Sequence, residues 1–358
     1  MRRRRSPGFF RSLYAPIERA SGGVAVQASS AAAVTRSRSE SSSMLHPDRE
    51  SENSRIGDRG ILRGLGQDFY VAQQARRCWG RSRSTMTDFA SSLTRTIARD
   101  YDLFQASLEF LQKERKFLNY GYTVSGKETY EERQERLCLE VFEAAEIGQG
   151  DVVIDVGFGS GEQDFLLSNT CEFSRLVGFN ISERQVRYAN ERAIRENLAH
   201  KLSFRLGEAE RLPGVADSSV DRILAIECAF YFDRPRFYRR AAQVLKPDGL
   251  VVLADIAFAD RAAFLARRAE DLQRVGTQSS NRTEWERHFL TRSVCRINNR
   301  TQPGAQMTVW QILKTAPFSR VSAAEHRAWM KLAFYSQLVA LGLQVSFMQY
   351  NLIVLQKK

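Results

Sequence analysis

The chain has 358 residues, 43% of them hydrophobic, and its 53 Lys and Arg against 41 Asp and Glu give a net charge of +12. Residues 1–86 alone hold 16 Arg, no Lys and seven acids, so nine of those charges belong to a leader and only three to residues 87–358. That split disfavours a nucleic-acid partner for the globular part, which would need clustered Lys and Arg. Five dispersed Cys with no C-x-x-C and four scattered His (His46, His200, His288, His326) argue against a disulfide framework and a metal site. No apolar run reaches the roughly 18 residues of a membrane helix.

Residues 1–43 are rich in Arg, Ser and Ala and hold two acids, too little apolar surface to offset the entropy of ordering. The segment fits a transit peptide for a mitochondrion or plastid. It fits equally a start set too early, with a cytoplasmic product beginning near Met86. An RS-like nucleic-acid arm in "RSRSESSS" ranks behind both.

From about residue 88 the pattern turns helical, with Phe104, Leu108, Leu111 and Phe117 spaced near three or four or their multiples. A second helix over "ERLCLEVFEAA" runs to the turn "IGQG". Strands and helices then alternate: "DVVIDVG", a helix from Gly161, "RLVGFNI", and a helix whose Ser182 and Gln185 form a capping-box start. "LSFRLG", "SVDRILAIE", a helix "RPRFYRRAAQVL" closed by a "KPDG" turn, and "GLVVLADIAF" follow. Such alternation means βαβ units and a parallel sheet covered by helices on both faces. Residues 259–306 show no strong strand pattern and read as a polar lid inserted over a site. "WQILKTAPFSRVS" reads as helix then strand, "HRAWMKLAFYSQLVALG" as a helix, and "YNLIVLQKK" as a closing strand. The expected parts are N-terminal helices over 87–149, a ligand-binding core over 150–258, the insertion, and a helix–strand closure over 307–358.

Gly157, Gly159 and Gly161 follow the first strand, where ligands of open α/β sheets bind. Their spacing is G-x-G-x-G, whereas a dinucleotide loop wants G-x-G-x-x-G. Glu162 and Asp164 stand at the helix start that would otherwise favour a pyrophosphate. The loop therefore suits a ligand without phosphates and disfavours a nucleotide-dependent oxidoreductase; on its own it could equally be a tight strand–helix turn. Asn180 ends the second strand where a partner for ribose hydroxyls is expected. Glu208 and Ala209 end the third strand, beside an adenine position, and Glu227 ends the fourth.

Residues 151–258 resemble the class I S-adenosylmethionine-dependent methyltransferases, and the resemblance extends over roughly 110–358. "DVGFGSG" is similar to their first motif, "GEAERLP" to their adenine motif, and "VLKPDGLVVLAD" to the segment leading into their fifth strand. "FLNYGY" followed by "RL" is similar to the entry segment of relatives that modify natural products, lipids and sugars. The resemblance implies a doubly wound, Rossmann-like seven-stranded sheet, S-adenosyl-L-methionine as cofactor and a small, largely apolar metabolite as substrate. It implies that Asp155 and the loop (Gly157, Phe158, Gly159, Gly161) hold the methionine end. Asn180, with Ile181 and Gln185, would meet the ribose, and Glu208 and Ala209 the adenine. Glu227 would border the cofactor and Tyr122 would lie across it.

Two departures stand out. Asn180 is neutral where many relatives carry an acid, and Tyr231 stands where some carry a basic His. A Tyr titrating near 10 is a poor base at neutral pH. Candidate bases are Tyr231, Asp255 and His288, and Phe230, Phe232, Trp285 and Trp310 are candidates for an apolar pocket. Whether oxygen, carbon or nitrogen is methylated stays open, as do a catalytically degenerate relative and an RNA-associated methyltransferase with a basic leader.

Overall fold

A computed structural model describes residues 92–110, 116–266, 270–315 and 321–358. The leader expectations and Leu111 fall outside them. Helix α1 (Ser92–Phe110) buries Ala98, Phe104 and Leu108. Helix α2 (Tyr130–Ala145) opens on a capping box between Thr129 and Glu132 and buries Leu137, Cys138, Val141 and Phe142.

Seven strands follow: β1 (Val152–Val156), β2 (Arg175–Asn180), β3 (Leu202–Leu206), β4 (Val220–Ile226), β5 (Leu245–Phe258), β6 (Phe289–Arg296) and β7 (Met348–Lys357). They form one sheet in the order β3-β2-β1-β4-β5-β7-β6. β1 to β5 pair in parallel, and β7 runs antiparallel to β5 and β6. The crossovers β1–β2, β2–β3 and β4–β5 carry α3 (Glu162–Thr170), α4 (Glu183–Arg195) and α5 (Arg234–Val244). Beyond β5 come α6 (Ala263–Ala266), α7 (Glu270–Val275), α8 (Gln278–Trp285), α9 (Asn298–Thr315) and α10 (Ala323–Gln344). Successive side chains of a strand leave on opposite faces. Val153 accordingly joins one apolar layer, with Leu137, Phe165 and Leu176, while Ile154 joins the other, with Ile223, Phe237 and Leu253.

Three local expectations change, and a fourth lies outside the described residues. Residues 289–296, expected to lack a strand, are β6, paired with β7 from Phe289↔Lys357 to Arg296↔Asn351; the segment completes a sheet edge. The "KPDG" turn lies inside β5, where the partner register jumps from Val220↔Leu245 to Arg222↔Leu250. Asp248 there takes a left-handed φ of 64°. Ser182 caps α4 by accepting from Gln185 N, but Gln185's own side chain turns to Asn180, so the box is half made. The strand expected after α9 falls on residues outside the description, and Ser322 beyond them is the N-cap of α10. Among the described residues no helix is long and apolar enough to cross a membrane.

The strand order reverses between β1 and β4. The crevice beyond their carboxyl ends is the place such a sheet offers a ligand.

Candidate functional site

A cavity with about 880 Å³ of unfilled space occupies that crevice. Its floor is the loop after β1 and the tips of β2 and β4, and α1 contributes Thr94, Ile97 and Tyr101 to its wall. Gly157 has a φ of 71°, and a Cβ there would sit 2.6 Å from Cys228 Cβ. Only glycine lets the chain pass here, so the loop presents bare backbone to the cavity.

Asn180 organises the next wall. Its Oδ1 accepts from Ile181 N at 2.7 Å and Ser182 N at 3.2 Å. Its Nδ2 donates to Gln185 Oε1 at 2.8 Å and to Gly159 O at 3.2 Å. Gln185 Nε2 is buried without a hydrogen-bond partner in a side chain that lines the cavity. Glu208 pairs with Arg211 at 2.9 Å, and Glu210 accepts from Asp233 N at 2.8 Å.

Glu227 ends β4 with a left-handed φ of 53°, an uncommon backbone for a residue with a Cβ. Its Oε1 accepts from Tyr120 N at 2.8 Å and from Tyr350 OH at 2.7 Å. Glu227 lines the cavity, and both of its donors fall on Oε1 and none on Oε2 among the described residues. Burial pushes its carboxyl up to about 8, against the opposing pull of those two hydrogen bonds. Burial also pushes Tyr231 up to about 12, and Tyr101 OH donates to its hydroxyl at 3.4 Å. Both phenols stay protonated at neutral pH.

Gly157, Phe158, Gly159, Asn180, Ile181, Gln185, Glu208, Ala209, Glu227 and Tyr231 all border this cavity. Five candidates do not. Gly161 is the N-cap of α3, with a φ of 82°. Asp155 is buried behind the loop, where Gln163 Nε2 donates to its Oδ2 at 2.6 Å. Burial raises it to about 7 and lifts its neighbour Asp164 well above the usual range, with Asp155's charge adding to the effect on Asp164. Tyr122 is tied by its backbone to Arg133 O at 2.7 Å, its ring centre 5.7 Å from the Arg300 guanidinium. Lys116 to Asn119, together with Tyr101, border the cavity where Tyr122 does not. Asp255 is locked into a buried ion pair with Arg234 at 2.7 Å. His288 precedes Phe289, whose partner Lys357 marks the far end of the sheet, level with the start of β5. Neither Asp255 nor His288 borders the cavity.

Of the aromatic candidates Phe232 lines the cavity and Phe230 packs against the core. Trp285 is fully buried in the opposite layer, and Trp310 is 59% exposed. Tyr101, Ile97, Thr94 and Lys116 escaped the sequence reading. The first three share one helical face at positions i, i+3 and i+7 from Thr94 to Tyr101, the one signal that could have found them. Among the described residues no group of three His, Cys, Asp or Glu side chains is placed to hold a metal ion.

Residues 154–253 match the family described as "Methyltransferase domain". The chain is 40% identical over 157 residues to the erythromycin 3''-O-methyltransferase of Saccharopolyspora erythraea, a match spanning 44% of this chain and 51% of that one. It is 33% identical over 181 residues to the 27-O-demethylrifamycin SV methyltransferase of Amycolatopsis mediterranei, spanning 50% and 65%. The chain thus covers about half to two thirds of these curated relatives. Among solved structures, the [4+2]-cyclase SpnF superposes with a TM-score of 0.63 at 19% identity, covering 74% of this chain and 96% of that one. The geranyl diphosphate C-methyltransferase of Streptomyces coelicolor A3(2), solved with S-adenosyl-L-homocysteine, superposes with a TM-score of 0.55 at 14% identity, covering 75% and 99%.

Proposed function

Because this chain carries a class I S-adenosylmethionine-dependent methyltransferase domain, we propose that the whole protein methylates a hydroxyl oxygen of a small, uncharged, largely apolar natural product. The observation that carries this reading is Glu227. It is a cavity-lining carboxyl with one oxygen held by two donors and a proton affinity raised toward neutral pH.

The residues present fit the cofactor. Gln185 Nε2 is a buried donor lacking a partner, held in place by Asn180 Nδ2 on its Oε1, and Glu208 brings a carboxylate to the same wall. The bare backbone after β1 admits close approach, while Glu162 at the start of α3 opposes a pyrophosphate. Asn180 and Gln185 hold the ribose end, Glu208 and the Ala209 backbone the adenine end, and the glycine loop the methionine end. When bound, S-adenosylmethionine supplies an electrophilic methyl group on a sulfonium.

The remaining work falls to the protein. Glu227 Oε2 accepts the hydrogen bond of the substrate hydroxyl and takes its proton as that oxygen becomes the nucleophile. Such general-base help adds roughly 10²–10⁴-fold. Tyr350 OH and Tyr120 N hold Oε1 so that Oε2 keeps its direction. Tyr101 and Tyr231, both protonated, position substrate oxygens and help exclude water. Among the described residues lining the cavity Lys116 is the one cation, and its Nζ donates to Tyr188 OH. A diphosphate substrate would find a single counter-charge there, which favours an uncharged acceptor over a prenyl diphosphate.

The test is incubation of the full chain with methyl-labelled S-adenosylmethionine and a panel of hydroxylated macrolides, ansamycins and phenols. Labelled methyl ether on a panel member, with one S-adenosylhomocysteine per turnover, is the expected result. The cyclase among the structural neighbours favours one second reading, a cofactor-holding protein whose chemistry is not methyl transfer. Substrate conversion without S-adenosylhomocysteine would select it.

A further inference from the structure

Helix α1 meets the N-terminus of α4 through one carboxylate. Asp102 Oδ1 accepts a hydrogen bond from Ser182 Oγ and another, at 3.1 Å, from Arg184 N. Ser182 is the N-cap of α4, its Oγ already accepting from Gln185 N at 3.1 Å. Asp102 is therefore a second, anionic cap, delivered from another helix to the end where backbone donors are unpaired and the helix dipole favours negative charge.

The connection continues into the cavity. Gln185 Oε1 accepts from Asn180 Nδ2, which also donates to Gly159 O, and Asn180 Oδ1 takes the Ser182 N–H. One hydrogen-bonded path thus joins Asp102, Ser182, Gln185 and Asn180 to the backbone of the glycine loop. Asp102 itself borders no part of the cavity, whereas Asn180, Gln185 and Gly159 do. Its neighbour Tyr101 lies over the cavity against Tyr231, ring centres 6.1 Å apart.

We infer that Asp102 is a positioning residue for the cofactor: by capping α4 through Ser182 it fixes the Asn180–Gln185 pair in the orientation that receives the ribose. This rests on the reading of the cavity as an S-adenosylmethionine site. A second contact between the same helices, Arg184 to Glu109 at 2.7 Å, holds α1 without touching Ser182. It supplies the control.

The experiment compares the full-length wild type with Asp102→Ala, Asp102→Asn, Asp102→Ser and Glu109→Ala, by calorimetric titration with S-adenosylhomocysteine and by steady-state kinetics. Losing two charge-assisted hydrogen bonds should weaken binding roughly 10–100-fold in Asp102→Ala. The KM for S-adenosylmethionine should rise in step, while kcat at saturation changes less than threefold. Asn keeps the Oδ1 acceptor, so Asp102→Asn should recover most of the affinity. Glu109→Ala should stay within threefold of wild type. Equal losses from Asp102→Ala and Glu109→Ala would reduce Asp102 to a tether for α1 and overturn the inference, as would full affinity in Asp102→Ala. Should Asp102→Ala fail to fold, Asp102→Ser decides, since it withdraws the carboxylate from Ser182 Oγ and Arg184 N while leaving the Ser182 cap on Gln185 N: weakened binding supports the inference and unchanged binding overturns it. A wild type that binds no S-adenosylhomocysteine sinks the cofactor reading itself, a distinguishable failure.

Discussion

Replacing Glu227 by Gln separates its two consequences, one for stability and one for chemistry. The amide keeps an oxygen for Tyr350 OH and Tyr120 N but can never ionise. In the wild type the folded carboxyl titrates at about 8 instead of 4.5. The folded state therefore holds the proton more tightly, and the associated stability is complete below about 4.5 and lost as pH rises through about 8. At 1.36 kcal/mol for each tenfold, the full effect is about 5 kcal/mol. Glu227 borders a cavity open to one side, and solvent screening reduces this to about 2 kcal/mol. Thermal melts of both proteins between pH 5 and 9 should then diverge by roughly 4–8 °C, with Glu227→Gln gaining at the alkaline end. Wild-type kcat/KM should climb with pH to a plateau above about 8, and the variant should lose roughly 10²–10⁴-fold in kcat while binding S-adenosylhomocysteine normally. A variant within threefold of wild-type kcat would remove Glu227 as the base, and parallel melting curves would show that its carboxyl is not perturbed.

Three further substitutions probe the site from other sides. Gly157→Ala combines a φ of 71° with a Cβ 2.6 Å from Cys228 Cβ; it should cost about 1–3 kcal/mol in a denaturant melt and weaken S-adenosylhomocysteine binding at least about tenfold. Tyr231→Phe removes a hydroxyl held near 12, so kcat should fall by less than about tenfold with the pH midpoint unmoved; a flattened pH profile would make Tyr231 the base after all. Arg234→Met strands Asp255 in the core and should destabilise by about 3–5 kcal/mol in chemical denaturation, with Arg234→Met/Asp255→Leu recovering most of it. A loss below about 1 kcal/mol would mean that the buried pair is not what holds β5 to α5.

The strands β1 to β5, the glycine turn and the wall at Asn180 and Glu208 were readable because each depends on a local pattern: an apolar run, a residue free of Cβ, a polar side chain at a strand tip. β6 was not, because it is an edge strand whose side chains from Leu290 onward lie mostly in solvent; its sequence carries no apolar alternation to reveal it. Asp255 looked like a base at a strand tip until its partner appeared, and Arg234 lies 21 residues earlier on another element. Pairings of that kind are set by tertiary packing. That Tyr101 and not Tyr122 borders the cavity was hidden for the same reason: it depends on how α1 is anchored to α4 and α10. That anchoring runs through Asp102 and through Lys331 with Asp100. The depth of Glu227 was equally hidden, since burial by Tyr120 and Tyr350 comes from segments more than 100 residues away on either side.

Calorimetric titration of the full chain with S-adenosylmethionine, S-adenosylhomocysteine and NAD, paired with thermal melts, tests the central claim most directly. A ligand at 100 times its Kd stabilises by about 2.7 kcal/mol, well within reach of a melt. Saturable binding of both methionine-derived ligands, with no response to NAD, is the result the glycine spacing, Asn180 and Glu208 require. Silence from both would contradict the methyltransferase assignment of this cavity, and binding of NAD in their place would overturn the reading of the loop after β1.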